Sequence, residues 1–325
     1  MKTRRTPVAM TCWLPVVLIL ALVLWAGIGV YVAPLDTQLI HAAEHGDVGL
    51  VERLMNKGAN VNARDQEGAT PLMFAAHYGH LAVLNLLLDR GADINARSTE
   101  GGTALIAAAW GGRLAVIRVL LDKGADPNAG RGEVTTALME SAYLGQGAAI
   151  NMLLDSGADV NAQNNEGGTA LWNATRKGYL EVVKLLLDRG ADPNLKVKDG
   201  ATPLWWPAKN GDWGIVKLLL DKGADLNEKD KYHFTVLMWA AYQGSVGGAK
   251  LVLDRGADVN ARDAKSRTPL MWAATKGHVD VAKLLLEKGA EVKAQDTLGL
   301  TALKRAEGGG HEEIAELLKA YGAKK

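Results

Sequence analysis

Residues 65–97 read DQEGATPLMFAAHYGHLAVLNLLLDRGADINAR, and this 33-residue measure recurs along almost the whole chain. Thr70 stands before Pro71, a pairing that suits a helix start: the hydroxyl caps an orphan amide, and proline fits the first helical position. Leu72, Ala75 and Ala76 give that short helix a small-residue face on which neighbours can approach closely. Gly79 ends it, since a left-handed C-terminal residue is cheap for glycine. Leu81, Val83, Leu84, Leu86, Leu87 and Leu88 lay a broad apolar stripe on a second helix. Gly91 closes it, and Asp93 and Asn95 lead into a polar turn. The unit read from these residues is helix, turn, helix, finger-like turn.

The step is kept without insertion or deletion. Gly-Ala pairs begin at Gly58, Gly91, Gly124, Gly157, Gly190, Gly223, Gly256, Gly289 and Gly322. A leucine follows the same beat from Leu39 through Leu72, Leu105 and onward to Leu303. Such self-similarity means stacked units, none of which buries its apolar face alone. Recognition along an extended surface is expected of such a stack, and chemistry in one pocket is not.

These residues resemble the ankyrin repeat. The match is Thr-Pro-Leu at Thr70–Leu72, Thr202–Leu204 and Thr268–Leu270, then Ala-Ala and Gly, then a leucine run. Gly-Ala-Asp-x-Asn follows at Gly91–Asn95, Gly157–Asn161 and Gly256–Asn260. The resemblance implies an all-α ankyrin-repeat solenoid of stacked helix pairs with hairpin-like finger turns over residues 35–325. Its nine units would be 35–64, 65–97, 98–130, 131–163, 164–196, 197–229, 230–262, 263–295 and 296–325. One departure is systematic. The family's usual His after Thr-Pro-Leu is replaced by Ile40, Met73, Ile106, Met139, Trp172, Trp205, Met238, Met271 and Lys304, which predicts a greasier helix junction. The last unit carries Lys304, Arg305, Glu312, Glu313 and Glu316, as a solvent-facing cap requires.

Ahead of the repeats, a basic tail (1–12) with Lys2, Arg4 and Arg5 precedes an apolar stretch over 13–33. As a helix its 21 residues would span roughly 31 Å, about the thickness of a bilayer's hydrocarbon core. The reading is a transmembrane signal-anchor helix. The competing reading is a cleaved secretory signal, for which Gly27 and Gly29 are a mediocre small-x-small site. Cations before the span and Asp36, Glu44 and Asp47 after it place the N-terminus in the cytoplasm and export the repeats to the periplasm or exterior. The lone Cys12 lies outside the repeats, weakly consistent with export.

Lys2, Arg4 and Arg5 are three of the 37 cations, which leaves 34 in the repeats against 36 carboxylates. With no basic stripe, nucleic acid is not an expected partner. Neither a phosphate-cradling Gly-x4-Gly-Lys-Ser/Thr nor a Gly-x-Ser-x-Gly elbow occurs. His77 and His80 offer at most two ligands to a metal, and His80 falls where the family often places a turn His. Asp93, Asp126, Asp159, Asp192, Asp225 and Asp258 recur as turn residues. We therefore expect no enzyme, cofactor or metal site.

In stacked repeats the first helices line an inner, concave face. One row there reads His41, Phe74, Ala107, Glu140, Asn173, Trp206, Trp239, Trp272 and Arg305; the adjoining row reads Glu44, His77, Trp110, Tyr143, Arg176, Lys209, Tyr242, Thr275 and Gly308. Trp206, Trp239 and Trp272 are consecutive, with rings expected about 10 Å apart at ordinary helix spacing. They are either packing or an anchor strip for a partner. The finger Lys231-Tyr232-His233-Phe234 adds two rings expected to be exposed, and its His233 stands where Gly68, Gly101, Gly167, Gly200 and Gly299 stand in other units. Pro207 should kink or shorten its helix. Gly247 and Gly248 weaken theirs, as drift or as a place to bend.

The function expected is a single-pass, membrane-anchored scaffold that binds a partner protein through its concave face and finger turns. The candidate contact residues are Trp206, Tyr232, Phe234, Trp239, Tyr242, Trp272, Trp110 and Tyr143, with Lys198, Asp199, Lys231 and Lys265 tuning specificity. The alternative is an exported or secreted protein that stacks an extended glycan or cell-wall strand on the rings.

Overall fold

Threonine begins most of the first helices in the way the sequence predicts. The hydroxyls of Thr70, Thr103, Thr136, Thr169, Thr235, Thr268 and Thr301 each accept the amide three residues on. The computed structural model describes residues 33–130, 135–230 and 232–323. Among them lie eighteen helices and no strand: α1 (Leu35–His45), α2 (Val48–Asn56), α3 (Pro71–Tyr78), α4 (Leu81–Asp89), α5 (Ala104–Trp110) and α6 (Leu114–Asp122). There follow α7 (Ala137–Tyr143), α8 (Gly147–Asp155), α9 (Ala170–Lys177), α10 (Leu180–Asp188), α11 (Trp205–Asn210) and α12 (Trp213–Asp221). The series ends with α13 (Val236–Gln243), α14 (Val246–Leu253), α15 (Pro269–Lys276), α16 (Val279–Glu287), α17 (Ala302–Gly308) and α18 (Glu312–Ala320).

Within Leu35–Lys325, each odd-numbered helix packs on its even partner, and each row also packs along itself. The core lies between the two rows. Leu72, Leu105, Leu138, Leu171, Leu204, Leu237, Leu270 and Leu303 are buried on one side; Leu87, Leu120, Leu153, Leu186, Leu219, Leu285 and Leu318 face them from the other. The greasy junction is core as well. Ile40, Met73, Ile106, Met139, Met238 and Met271 are buried, while Trp172 and Trp205 remain half-buried and Lys304 is exposed. The expected span over 13–33 lies outside the described residues, apart from Ala33. No helix among the described residues is long and apolar enough to cross a membrane.

Polar ladders hold one helix pair to the next. Asn62 accepts from the Asp93 amide and donates to Gly91 carbonyl; Asn95, Asn128, Asn161, Asn194 and Asn260 repeat both bonds one unit on. Asn227 makes neither. The inter-helix turns supply a second ladder. Nε2 of His80, His278 and His311 lies 2.9, 3.0 and 3.2 Å from the carbonyls of Glu44, Tyr242 and Thr275, so that nitrogen carries the proton. The turn-residue reading of His80 is thus borne out. The second helices carry a third ladder of ion pairs: Arg90–Glu52, Lys123–Asp89, Arg189–Asp155, Lys222–Asp188, Arg255–Asp221 and Lys288–Asp254.

Two expected irregularities have definite forms. With no amide on Pro207, the bond back to Pro203 is missing, and α11 starts at Trp205 where α3 and α15 start at the proline after threonine. Gly248 serves to seat a ring. A Cβ there would lie 2.3 Å from the indole of Trp213, whereas one on Gly247 would meet nothing. The bare backbone of α14 thus takes the Trp213 ring flat against it, which neither drift nor bending describes.

Candidate interaction surface

A bond at the base of the finger positions the rings. Asp230 Oδ1 accepts the amides of Tyr232 and Phe234, closing an Asx turn, and the buried carboxylate's Oδ2 accepts from Trp205 Nε1 at 2.7 Å. Asp263 does the same one unit later: Oδ1 takes the amides of Lys265 and Arg267, and Oδ2 takes Arg267 Nε at 2.7 Å and Trp272 Nε1 at 3.3 Å. Asp296 pairs with Arg305 in the same manner. Burial raises the Asp296 carboxyl, but the Arg305 hydrogen bond and the amides of Leu300 and Leu298 outweigh it and hold it below the usual range. Each carboxylate therefore ties a finger to an aromatic or guanidinium group of the first-helix row.

The row of tryptophans is continuous, though not by direct contact of its members. Phe234 is half-buried, against the expected exposure, because it wedges between Trp239 and Trp272, with ring centroids 4.8 and 5.0 Å away. Tyr242 spans the same gap, 5.9 Å from Trp239 and 5.5 Å from Trp272. Trp205 joins the other end, edge-on to Trp206 at 4.4 Å and to Trp239 at 6.3 Å. All six rings are half-buried, and the indole N–H groups of Trp206 and Trp239 are enclosed without an acceptor. Tyr232 alone among the expected finger rings is widely exposed, at 59%. A cavity of about 20 Å³ lies between Trp205, Asp230, Phe234 and Trp239. That is room for a single water and for no larger ligand.

Trp110 and Tyr143 do not join this cluster. Trp110 stacks on His77 at 4.8 Å, and burial lowers the pKa of that imidazole. Tyr143 faces Lys177 at 4.0 Å and Arg176 at 5.4 Å. One turn before Tyr143 on α7, in the other row, sits Glu140, whose carboxyl burial raises, partly offset by a hydrogen bond to Thr135. Of the finger charges, Lys198 pairs with Glu166 at 3.2 Å, and Lys231 lies outside the described residues.

Sequence reading missed Trp205, taken only as a replacement for a family His, and it missed the cations over the rings. Lys209 Nζ sits 4.7, 4.9 and 6.0 Å from the rings of Trp205, Trp206 and Trp239. Arg267 lies 4.0 Å over Trp272, and Lys276 4.4 Å over Tyr242. The signal was there to find: Lys177 follows Tyr143, and Lys276 follows Tyr242, by one repeat plus one residue. Among the described residues no group of His, Cys, Asp and Glu is placed to hold a metal.

A comparison with curated proteins gives no match. The model of a protein family described as ankyrin repeats (3 copies) matches residues 39–131, 130–197, 192–263 and 256–325. Those four matches cover nearly all of the helical stack that the threonine caps, Gly-Ala turns and leucine columns build, and the chain belongs to the ankyrin-repeat family.

Proposed function

We propose that the chain is a scaffold of nine ankyrin repeats without catalytic activity, which binds a partner protein through the first-helix row and the finger turns of residues 197–295. The ring cluster of Trp206, Phe234, Trp239, Tyr242 and Trp272 carries this reading. Ala107 and Asn173 occupy the row in α5 and α9, where the same caps and buried leucines support the helices without a ring at that position. The fold itself thus makes no demand for tryptophan at these positions. Half-buried aromatic anchors are the usual centre of protein interfaces, and Tyr232 extends the surface two residues from Phe234.

Anchoring rests on the sequence alone: no charge occurs from Thr6 to Leu35, and the cations precede it. In this proposal the span over 13–33 is uncleaved and the repeats are exported. Glycan stacking is the weaker reading, because Arg267 and Lys276 already cover faces of Trp272 and Tyr242 that a sugar ring would use.

Proximity labelling from the repeats in intact cells tests the reading. Neighbours lost on Trp239→Ala, at unchanged thermal stability and unaffected by added polysaccharide, support it; retention of the same neighbours, or their displacement by polysaccharide, refutes the site. Mass spectrometry of the mature N-terminus separates the anchor from the signal peptide. An intact Met1 or Lys2 is expected, and a start near Val30 rejects the anchor.

A further inference from the structure

The chain is close to neutral, yet its charges are not evenly spread. Helices α9, α11 and α15 contain Arg176, Lys177, Lys209 and Lys276 and no Asp or Glu, and α13 between them carries no charge. All four cations are exposed, and among the described residues none has a carboxylate within ion-pair reach. Each lies instead over a ring: Arg176 and Lys177 over Tyr143, Lys209 among Trp205, Trp206 and Trp239, Lys276 over Tyr242. On the second-helix row the reverse holds, and cation after cation is paired to a carboxylate one unit back. Buried carboxylates beneath the rings are also spent, on Trp205 and Arg267.

We infer that this face takes an acidic protein segment, one that sets Asp or Glu against Arg176, Lys177, Lys209 and Lys276 while its apolar side chains cover the rings between them. The inference rests on the docking reading above and gives its partner a chemistry. A row of unpaired like charges raises the local concentration of an oppositely charged segment, and their pre-positioning over rings lowers the ordering cost of each ion pair. Single-stranded nucleic acid shares the negative charge but binds by stacking bases on open rings. Here the rings stand edge-on to one another and carry cations on their faces, which favours a peptide.

The test uses the full-length chain and three fluorescein-labelled peptides of one length, with the same Leu and Phe residues and with Glu, Gln or Lys at the alternate positions. Fluorescence anisotropy should show the Glu peptide binding about tenfold or more tighter than the Gln peptide in low salt, and the Lys peptide weakest. That preference should shrink toward parity near about 0.5 M salt, and it should vanish in the fourfold Arg176→Gln, Lys177→Gln, Lys209→Gln, Lys276→Gln variant. Trp239→Ala should weaken the Glu and Gln peptides alike and leave their ratio standing. Equal binding of the Glu and Gln peptides, no binding of any peptide, or displacement of the Glu peptide by a lower concentration of oligothymidylate than of unlabelled Glu peptide would each overturn the inference. If Trp239→Ala weakens a charge-blind binding, the docking reading survives and the acidic partner does not.

Discussion

Gly248→Ala should destabilise this protein although it replaces glycine by alanine inside a helix. In an ordinary helix interior the change adds about 0.5–1 kcal/mol of stability, because alanine has less backbone freedom to lose. In α14 the new methyl carbon would lie 2.3–2.5 Å from three fused-ring atoms of Trp213 on α12. Two responses are open. If α14 moves away, the overpacked contact costs about 1–3 kcal/mol. If the indole swings out, a side chain that buries about 200 Å² gives up roughly half of that burial, which costs about 2.5 kcal/mol at about 25 cal/mol per Å². Either route exceeds the helical gain, and we expect a net loss of about 1–2 kcal/mol. Gly247→Ala is the control, since its Cβ would meet nothing within 4 Å; it should be neutral or add up to about 0.5–1 kcal/mol. Urea unfolding followed by far-ultraviolet circular dichroism measures both, with equal slopes required before midpoints are compared. The reasoning is refuted if Gly248→Ala proves as stable as the parent, or if the two neighbouring glycines respond alike.

His233 and Ser266 hold φ of 59° and 57°, where Gly68, Gly101, Gly167, Gly200 and Gly299 stand at the matching place in other fingers. His233→Gly and Ser266→Gly should each stabilise by about 0.5–1 kcal/mol, the left-handed strain relieved less the entropy of glycine; a drop in melting temperature contradicts this. Thr268→Ala removes the cap on α15 and should lose about 1 kcal/mol, while Thr202→Ala, whose hydroxyl caps nothing in front of the shortened α11, should lose measurably less; equal losses would show that capping does not set the difference. Leu186→Ala and Leu219→Ala, both fully buried, should cost about 2–5 kcal/mol by denaturant titration, and parent-like unfolding would mean the register is wrong. Because the Asp296 carboxyl is held below its usual range, its stabilisation is present above the unfolded carboxylate pKa of about 3.9 and fades as pH falls through the lower folded value. Asp296→Asn should therefore lie below the parent in stability at pH 7 and converge with it in acid; a constant gap down to about pH 2 would exclude the linkage.

The repeat length, the helix pairs, the threonine caps and the leucine columns are all local or strictly periodic, so the amino-acid order of one unit determined them: the same residue meets the same neighbours every 33 positions. Pro207 belongs with these, because a missing amide shortens a helix whatever surrounds it. The rings were legible as a row but not as a cluster. Whether Phe234 projects or wedges depends on the space between two tryptophans of different helices, and whether Gly248 is drift or a seat depends on Trp213 one unit away. Likewise a lysine's place in a sequence gives its charge and leaves open whether it meets a carboxylate or a ring. Contacts of that kind are set by side-chain volume and direction across the stack, where neighbouring units differ, and so tertiary packing alone decided that α9, α11 and α15 present unpaired cations on aromatic faces.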